Sequence, residues 1–176
     1  GISTHFVAAV YAAAKIPDID VIHPILNFRG VGVVDGSRQE MEQAIAQAWQ
    51  AGKGIYIMKA LGGGHLLKNY EKAMNYIMDF SFAHSIAIGM QRVEEVDANV
   101  EYFTNGTLSK ELSSQLRQYK RKLIIEPYCQ GCGRCVERCA QGALSLQNGK
   151  AQIDREKCIL CGYCGTECKE LAIKVI

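Results

Sequence analysis

The chain has 176 residues, 48% of them hydrophobic, enough for one large domain or two small ones. Its 20 basic and 18 acidic residues leave a formal net charge of +2, a balance that argues against a nucleic-acid binder held by phosphate contacts. No run approaches the roughly 18 apolar residues of a transmembrane helix, so no membrane span is expected. The opening residues GISTHFVAAV lack the basic n-region of a signal peptide, which points to a cytoplasmic protein.

The chain begins at Gly1 in what reads as the end of a strand, as a fragment or a processed piece would. Up to residue 103 a pattern recurs at roughly 30-residue spacing: an apolar run with β-branched residues, a Gly-rich or polar turn, then a helical stretch. DVIHPI (20–25), GIYIMK (54–59) and HSIAIG (84–89) are predicted as buried strands of a parallel sheet. Thr4 is expected to cap a helix whose inner face carries Phe6, Val7, Val10, Tyr11 and Ala14. Ser37 and Glu40 form a capping-box pattern ahead of Met41, Ala44, Ile45, Ala48 and Trp49, and Gly52 ends that helix. Ala73, Met74, Ile77 and Met78 mark a third helix; Val93, Val96, Val100 and Phe103 mark a fourth. Such alternation predicts an α/β fold with right-handed crossovers. Met58, Met74, Met78 and Met90 are read as core packing, and His5, His65 and His84 as ordinary polar or structural residues.

Residues 104–126 are expected to be a linker containing an exposed connecting helix. Its charge run, Lys120, Arg121 and Lys122, reads as a solvated helix C-terminus favoured by the macrodipole, or else as a docking patch for an acidic electron-transfer partner.

All eight cysteines lie in the remaining segment, 127–176. Cys129, Cys132, Cys135 and Cys139 follow C-x2-C-x2-C-x3-C, and Cys158, Cys161, Cys164 and Cys168 repeat it 29 residues later. Gly133 and Gly162, Ala143 and Ala172, Leu144 and Ile173, and Leu146 and Val175 share that offset. Asn148-Gly149 between the halves predicts a type I′ hairpin. Three cysteines two residues apart can wrap a tight loop around one cubane, with backbone N–H groups aimed at the sulfurs. The fourth starts away from that cubane and ligates the other. The expected sets are Cys129, Cys132, Cys135 with Cys168, and Cys158, Cys161, Cys164 with Cys139, each holding a [4Fe–4S] cluster. Disulfides need no such rhythm, and structural zinc, which uses two separated CxxC pairs, leaves the third cysteine of each run unexplained.

This segment resembles the bacterial-type two-cluster ferredoxins, except that Ala140 and Lys169 stand where a proline usually follows the fourth cysteine. Proline is not a ligand, so the departure bears on potential and exposure and leaves cluster formation expected. The segment 1–103 resembles the second half of an aldo/keto reductase barrel, through GIST, DVIHPILN, KALGGG and AIGMQRVEEVDAN in that order. The two resemblances imply half of a TIM-type β/α barrel followed by a small α+β ferredoxin-like domain. They also imply an electron-transfer module of an oxidoreductase, working with a redox partner protein or a small-molecule redox substrate.

By the same resemblance, NADH or NADPH would be held by Ser3 and Thr4 at the carboxamide, His23 under the nicotinamide ring, and Asn99 near the adenine. Lys59, Leu61, Gly62, Gly63 and Gly64, with Gly89, Met90 and Gln91, would form the pyrophosphate loops. The glycine run also reads as a plain tight turn. His23 replaces the family's usual Gln, and Glu95 stands where NADPH-dependent members often carry a basic residue. The family's catalytic Asp, Tyr, Lys and His come from the barrel's other half, so no residue here is assigned a catalytic role. A half-barrel without that partner half has open sheet edges, and poor solubility or dimerisation is expected.

Overall fold

A computed structural model describes residues 1–118 and 120–176. These divide into two units, Gly1–Tyr119 and Lys120–Ile176. In the first, isoleucines alternate with polar or aromatic residues along short strands, so one face of each strand is driven inward. Strands β1 (Ile2–Thr4), β2 (Val21–Pro24), β3 (Gly54–Met58) and β4 (Ser85–Ala87) lie parallel in the order β1-β2-β3-β4. Ile22, Ile55 and Ile57 are buried, while Ser3 and Tyr56 on the other face are exposed. The sheet is open, with β1 and β4 at its edges, and closes no barrel among the described residues.

Helix α1 (Val7–Ala14) follows β1, and α2 (Arg38–Gln50) follows β2. The expected cap of α1 is displaced: among the described residues Thr4 Oγ1 accepts from Phe6 N–H, at 3.0 Å, and Phe6 itself is exposed. The first helical N–H groups, of Val7 and Ala8, donate instead to the carboxylate of Asp35, at 2.5 and 3.0 Å. Ser37 and Glu40 form the full capping box of α2, which buries Met41, Ala44, Ile45 and Ala48. Trp49 stays exposed and meets Phe82 edge-on.

The face of α3 (Tyr70–Met78) that carries Tyr70, Ala73, Met74 and Ile77 is buried, but Met78 is exposed, as is Met90. The larger correction concerns α4 (Val93–Asn105). Val93, Val96, Val100 and Phe103, expected inward, are all exposed, and the buried face is Glu95, Ala98, Asn99 and Tyr102. Hydrogen bonds to α3 explain the choice: Tyr70 Oη donates to Asn99 Oδ1 at 2.8 Å, and Tyr102 Oη donates to Asn75 Oδ1 at 2.5 Å. A buried polar group with a partner costs little, whereas orphaning it costs about 1–3 kcal/mol.

The stretch 104–126 differs from the expected linker, and Tyr119 within it lies outside the described residues. Helix α5 (Lys110–Gln118) buries Leu116 completely. Glu71 and Glu101 accept backbone N–H bonds from Leu108 and Ser109 just before it. Leu123–Ile125 is β5, a strand of the second unit, so the Lys120-Arg121-Lys122 run leads into a sheet.

In the second unit α6 (Arg134–Arg138), β6 (Leu144–Gln147), β7 (Lys150–Ile153), α7 (Tyr163–Thr166) and β8 (Ile173–Val175) follow β5. Two antiparallel pairs result, β5 with β8 and β6 with β7. Asn148 and Gly149 have φ of 50° and 71°, the left-handed pair that a type I′ turn requires. Leu123, Leu144, Ala151, Leu160 and Ile173 form a small core together with Cys135 and Cys164. No helix among the described residues is long and apolar enough to cross a membrane.

Candidate metal centres

The two cysteine loops repeat in backbone as well as sequence. Gly131 and Leu160 occupy the left-handed region at φ 65° and 53°, Gly133 and Gly162 at 83° and 84°, Gly142 and Leu171 at 58° and 53°. Gly131 N–H donates to Cys129 Sγ at 3.5 Å. Ala143 N–H donates to Cys139 Sγ, and Ala172 N–H to Cys168 Sγ, both at 3.3 Å. The halves differ by one extra residue between β7 and Cys158. Asp154 accommodates it by accepting from the N–H groups of Glu156 and Lys157, at 3.0 and 3.3 Å.

Cys129, Cys132, Cys135 and Cys168 line one cavity of about 110 Å³, with Gly131, Gly133, Leu146 and Ala151 in its wall. The Cys129 thiol is held below its ordinary pKa by N–H donors from Ala151 and Gly131, with help from the Lys150 ammonium. Burial pushes Cys135 up, and the negative fields of Cys129 and Cys132 add to it. The other sulfurs also sense one another. Burial pushes Cys164 up to about 11, and the fields of Cys161, Cys158, Cys139 and Cys135 follow in size. Cys158 is raised by burial, against the N–H of Leu160, and it too feels Cys161 and Cys139.

Thiols raised in this way stay protonated at neutral pH until a cation displaces the proton. Four cysteines around one cavity, with backbone donors to their sulfurs, suit a polynuclear cluster. The cysteine rhythm was readable in the sequence. The donor Ala151, the cation Lys150 and the buried Leu160 were not, because folding of the hairpin and of the second loop brings them to the sulfurs.

In the first unit, Ser3 and Thr4 end β1, Lys59 to Gly64 follow β3, and Gly89, Met90 and Gln91 follow β4, all at the C-terminal side of the parallel sheet. Gly62, Gly63 and Gly64 have positive φ of 56°, 68° and 109°. His23 stacks on Tyr56 with centroids 4.4 Å apart, and burial holds its pKa down. Asn99 is buried, with its oxygen taken by Tyr70 and its Nδ2 donating to the Glu95 carbonyl at 2.6 Å. Glu95, also buried, accepts from Gln91 N–H at 2.9 Å. His84 is structural, its Nδ1 accepting from Ile55 N–H at 3.0 Å.

Residues 128–172 match the family model described as a 4Fe-4S dicluster domain. The chain is 39% identical over 54 residues to a component of the ion-translocating oxidoreductase complex of Methanosarcina acetivorans, a match covering 31% of this chain and 20% of that protein. It is 41% identical over 46 residues to a ferredoxin of Pyrobaculum islandicum, covering 26% of this chain and 43% of that protein. The chain thus spans less than half the length of either relative. The cysteine-rich unit carries a 4Fe–4S dicluster domain of the ferredoxin kind, with an iron–sulfur electron-transfer function.

Proposed function

We propose that this chain is the electron-transfer module of an aldo/keto reductase-like oxidoreductase, with two [4Fe–4S] clusters held by crossed cysteine sets. The first set is Cys129, Cys132 and Cys135 with Cys168; the second is Cys158, Cys161 and Cys164 with Cys139. The observation that carries the reading is Cys168 lining the same cavity as the three cysteines of the other loop. A [4Fe–4S] cluster, when bound, takes up or gives up one electron. The chain supplies the thiolates and the N–H donors that spread their charge. Its small apolar core keeps the sites partly dry. A redox partner protein or a small redox substrate would exchange electrons with it.

The aldo/keto reductase part of the proposal rests on the sequence resemblance. It is supported by a parallel sheet in sequential order with Ser3, Thr4, the Lys59–Gly64 segment and Gly89 at one end. The glycine turn there could admit the phosphates of NADH or NADPH. The cytoplasm is the compartment that fits such a module.

A second reading, a ferredoxin-like carrier with a non-catalytic α/β scaffold, is favoured by Asn99 and Glu95. Both are buried and hydrogen-bonded inside the fold, so neither is offered to an adenine nucleotide.

Anaerobic reconstitution with iron and sulfide, followed by metal analysis and EPR of the reduced chain, tests the cluster reading. About eight irons with coupled [4Fe–4S]⁺ signals are expected; zinc-only or metal-free protein would sink it. Clusters that dithionite cannot reduce would assign them a structural role. NADH and NADPH calorimetry separates the oxidoreductase from the carrier, since only the former binds nucleotide.

A further inference from the structure

The repeat makes the two cysteine loops equivalent in backbone, yet their surroundings differ. Cys132 is exposed, while its counterpart Cys161 is partly buried. At the preceding matched pair, Gly131 corresponds to Leu160, which is 8% exposed and sits in the core despite φ of 53°. Cys129 receives N–H donors from Ala151 and Gly131, the latter at 3.5 Å. Cys158 receives one, from Leu160. The fourth cysteines are matched, with one donor each from Ala172 and Ala143. Each first cysteine also has one cation within reach, Lys150 for Cys129 and Arg155 for Cys158. The first cavity is also lined by Arg134 and Lys169, offset by Glu167 and Glu170, which leaves donors and water as the difference between the sites.

Reduction adds one electron to a site of four thiolates and a cluster core, taking its charge from 2− to 3−, with no bond broken and no proton required. Hydrogen-bond donors and solvent stabilise the more negative state, and an apolar wall opposes it. We propose that the chain makes its two sites unequal. The one built on Cys129, Cys132, Cys135 and Cys168 is the more easily reduced and faces solvent, and Leu160 keeps the other harder to reduce. The solvent-facing site is then the point of exchange with a partner, and the other is the store for the more strongly reducing electron. This rests on both sites holding [4Fe–4S] clusters.

The test is an EPR-monitored anaerobic redox titration of the full chain after iron and sulfide analysis. Two one-electron steps are expected, at least tenfold apart in reduction equilibrium, or about 59 mV. Leu160→Gly should raise the lower step alone. Lys150→Gln should lower the upper step alone, and Lys150→Arg should restore it. Eight irons with one unresolved step, or Lys150→Gln acting on the lower step, would overturn the inference while leaving the two-cluster reading standing. Protein without iron would overturn both.

Discussion

A Cβ on Gly131 would lie 2.1 Å from the carbonyl oxygen of Gly149. The turn of the β6–β7 hairpin is therefore seated directly on the first cysteine loop, and only the absence of a side chain allows it. The same turn carries Lys150, whose Nζ donates to the Pro127 carbonyl two residues before Cys129. Hairpin and loop thus hold each other in place, and the loop's N–H groups stay aimed at sulfur.

Gly131→Ala should then damage the first site far more than Gly162→Ala damages the second. Both glycines have positive φ, so each alanine carries a backbone cost of about 1–2 kcal/mol. At Gly162, however, nothing lies within 4 Å of the added carbon. Iron analysis after reconstitution should show about half the wild-type content for Gly131→Ala and nearly all of it for Gly162→Ala. Equal losses in the two would mean that the seat at Gly149 is unimportant.

The start of α1 depends on a residue remote in sequence. Asp35→Ala removes both acceptors of the Val7 and Ala8 N–H groups. The expected loss is about 1–2 kcal/mol, the size of a helix N-cap. Urea unfolding followed by far-UV circular dichroism would measure it, with Thr4→Ala as the contrast: Thr4 serves Phe6 N–H.

These cases also show where sequence reading succeeds. The Ser37–Glu40 box, the Asn148-Gly149 turn and the cysteine rhythm are local, so their chemistry is complete within a few residues and was legible. The burial of α4 was not. Its valines at helical spacing look like a core stripe, but the deciding groups are Asn75 and Tyr70 on another helix. Asp35 was hidden for the same reason, being 28 residues from the helix it caps. Leu116 at the heart of α5 is one apolar residue in a polar stretch, too little pattern to announce a docked helix.

The buried pair Tyr70 and Asn99 offers a direct measurement. Asn99→Leu leaves the Tyr70 hydroxyl without its acceptor, an expected loss of about 1–3 kcal/mol. Tyr70→Phe combined with Asn99→Leu should recover part of that loss, because both polar groups leave together. A double-mutant cycle in urea would show the coupling. If Asn99 served an adenine nucleotide instead, Asn99→Leu would weaken NADH affinity with little change in unfolding.

The capping box of α2 gives a pH dependence with a definite sign. The N–H and hydroxyl of Ser37 hold Glu40 below its ordinary pKa, so the folded state binds that proton less readily than the unfolded chain. Its stabilising effect is fully present above the unfolded carboxylate value of about 4.3 and fades as pH falls through the lower folded value. The stability gap between wild type and Glu40→Gln should therefore be constant from neutral pH to about pH 5 and narrow below it. A gap that widened on acidification would contradict this assignment.

Crossed ligation can be separated from ligation within each loop by removing one fourth cysteine at a time. If each loop of four served its own cluster, Cys168→Ala would injure the site of Cys158, Cys161 and Cys164, its neighbours in sequence. The cavity shared by Cys168 with Cys129, Cys132 and Cys135 leads to the opposite expectation. Cys168→Ala should strip or convert the first site, the one beside Lys150, and leave the second intact. Cys139→Ala should do the reverse, because its sulfur acts on Cys164 and Cys158. A three-iron cluster formed by loss of the unligated iron gives an EPR signal in the oxidised state, so each variant reports its own damage. The surviving step in a redox titration then identifies the intact site: the lower potential for Cys168→Ala and the upper for Cys139→Ala. The upper step surviving in Cys168→Ala and the lower in Cys139→Ala would refute the crossed arrangement.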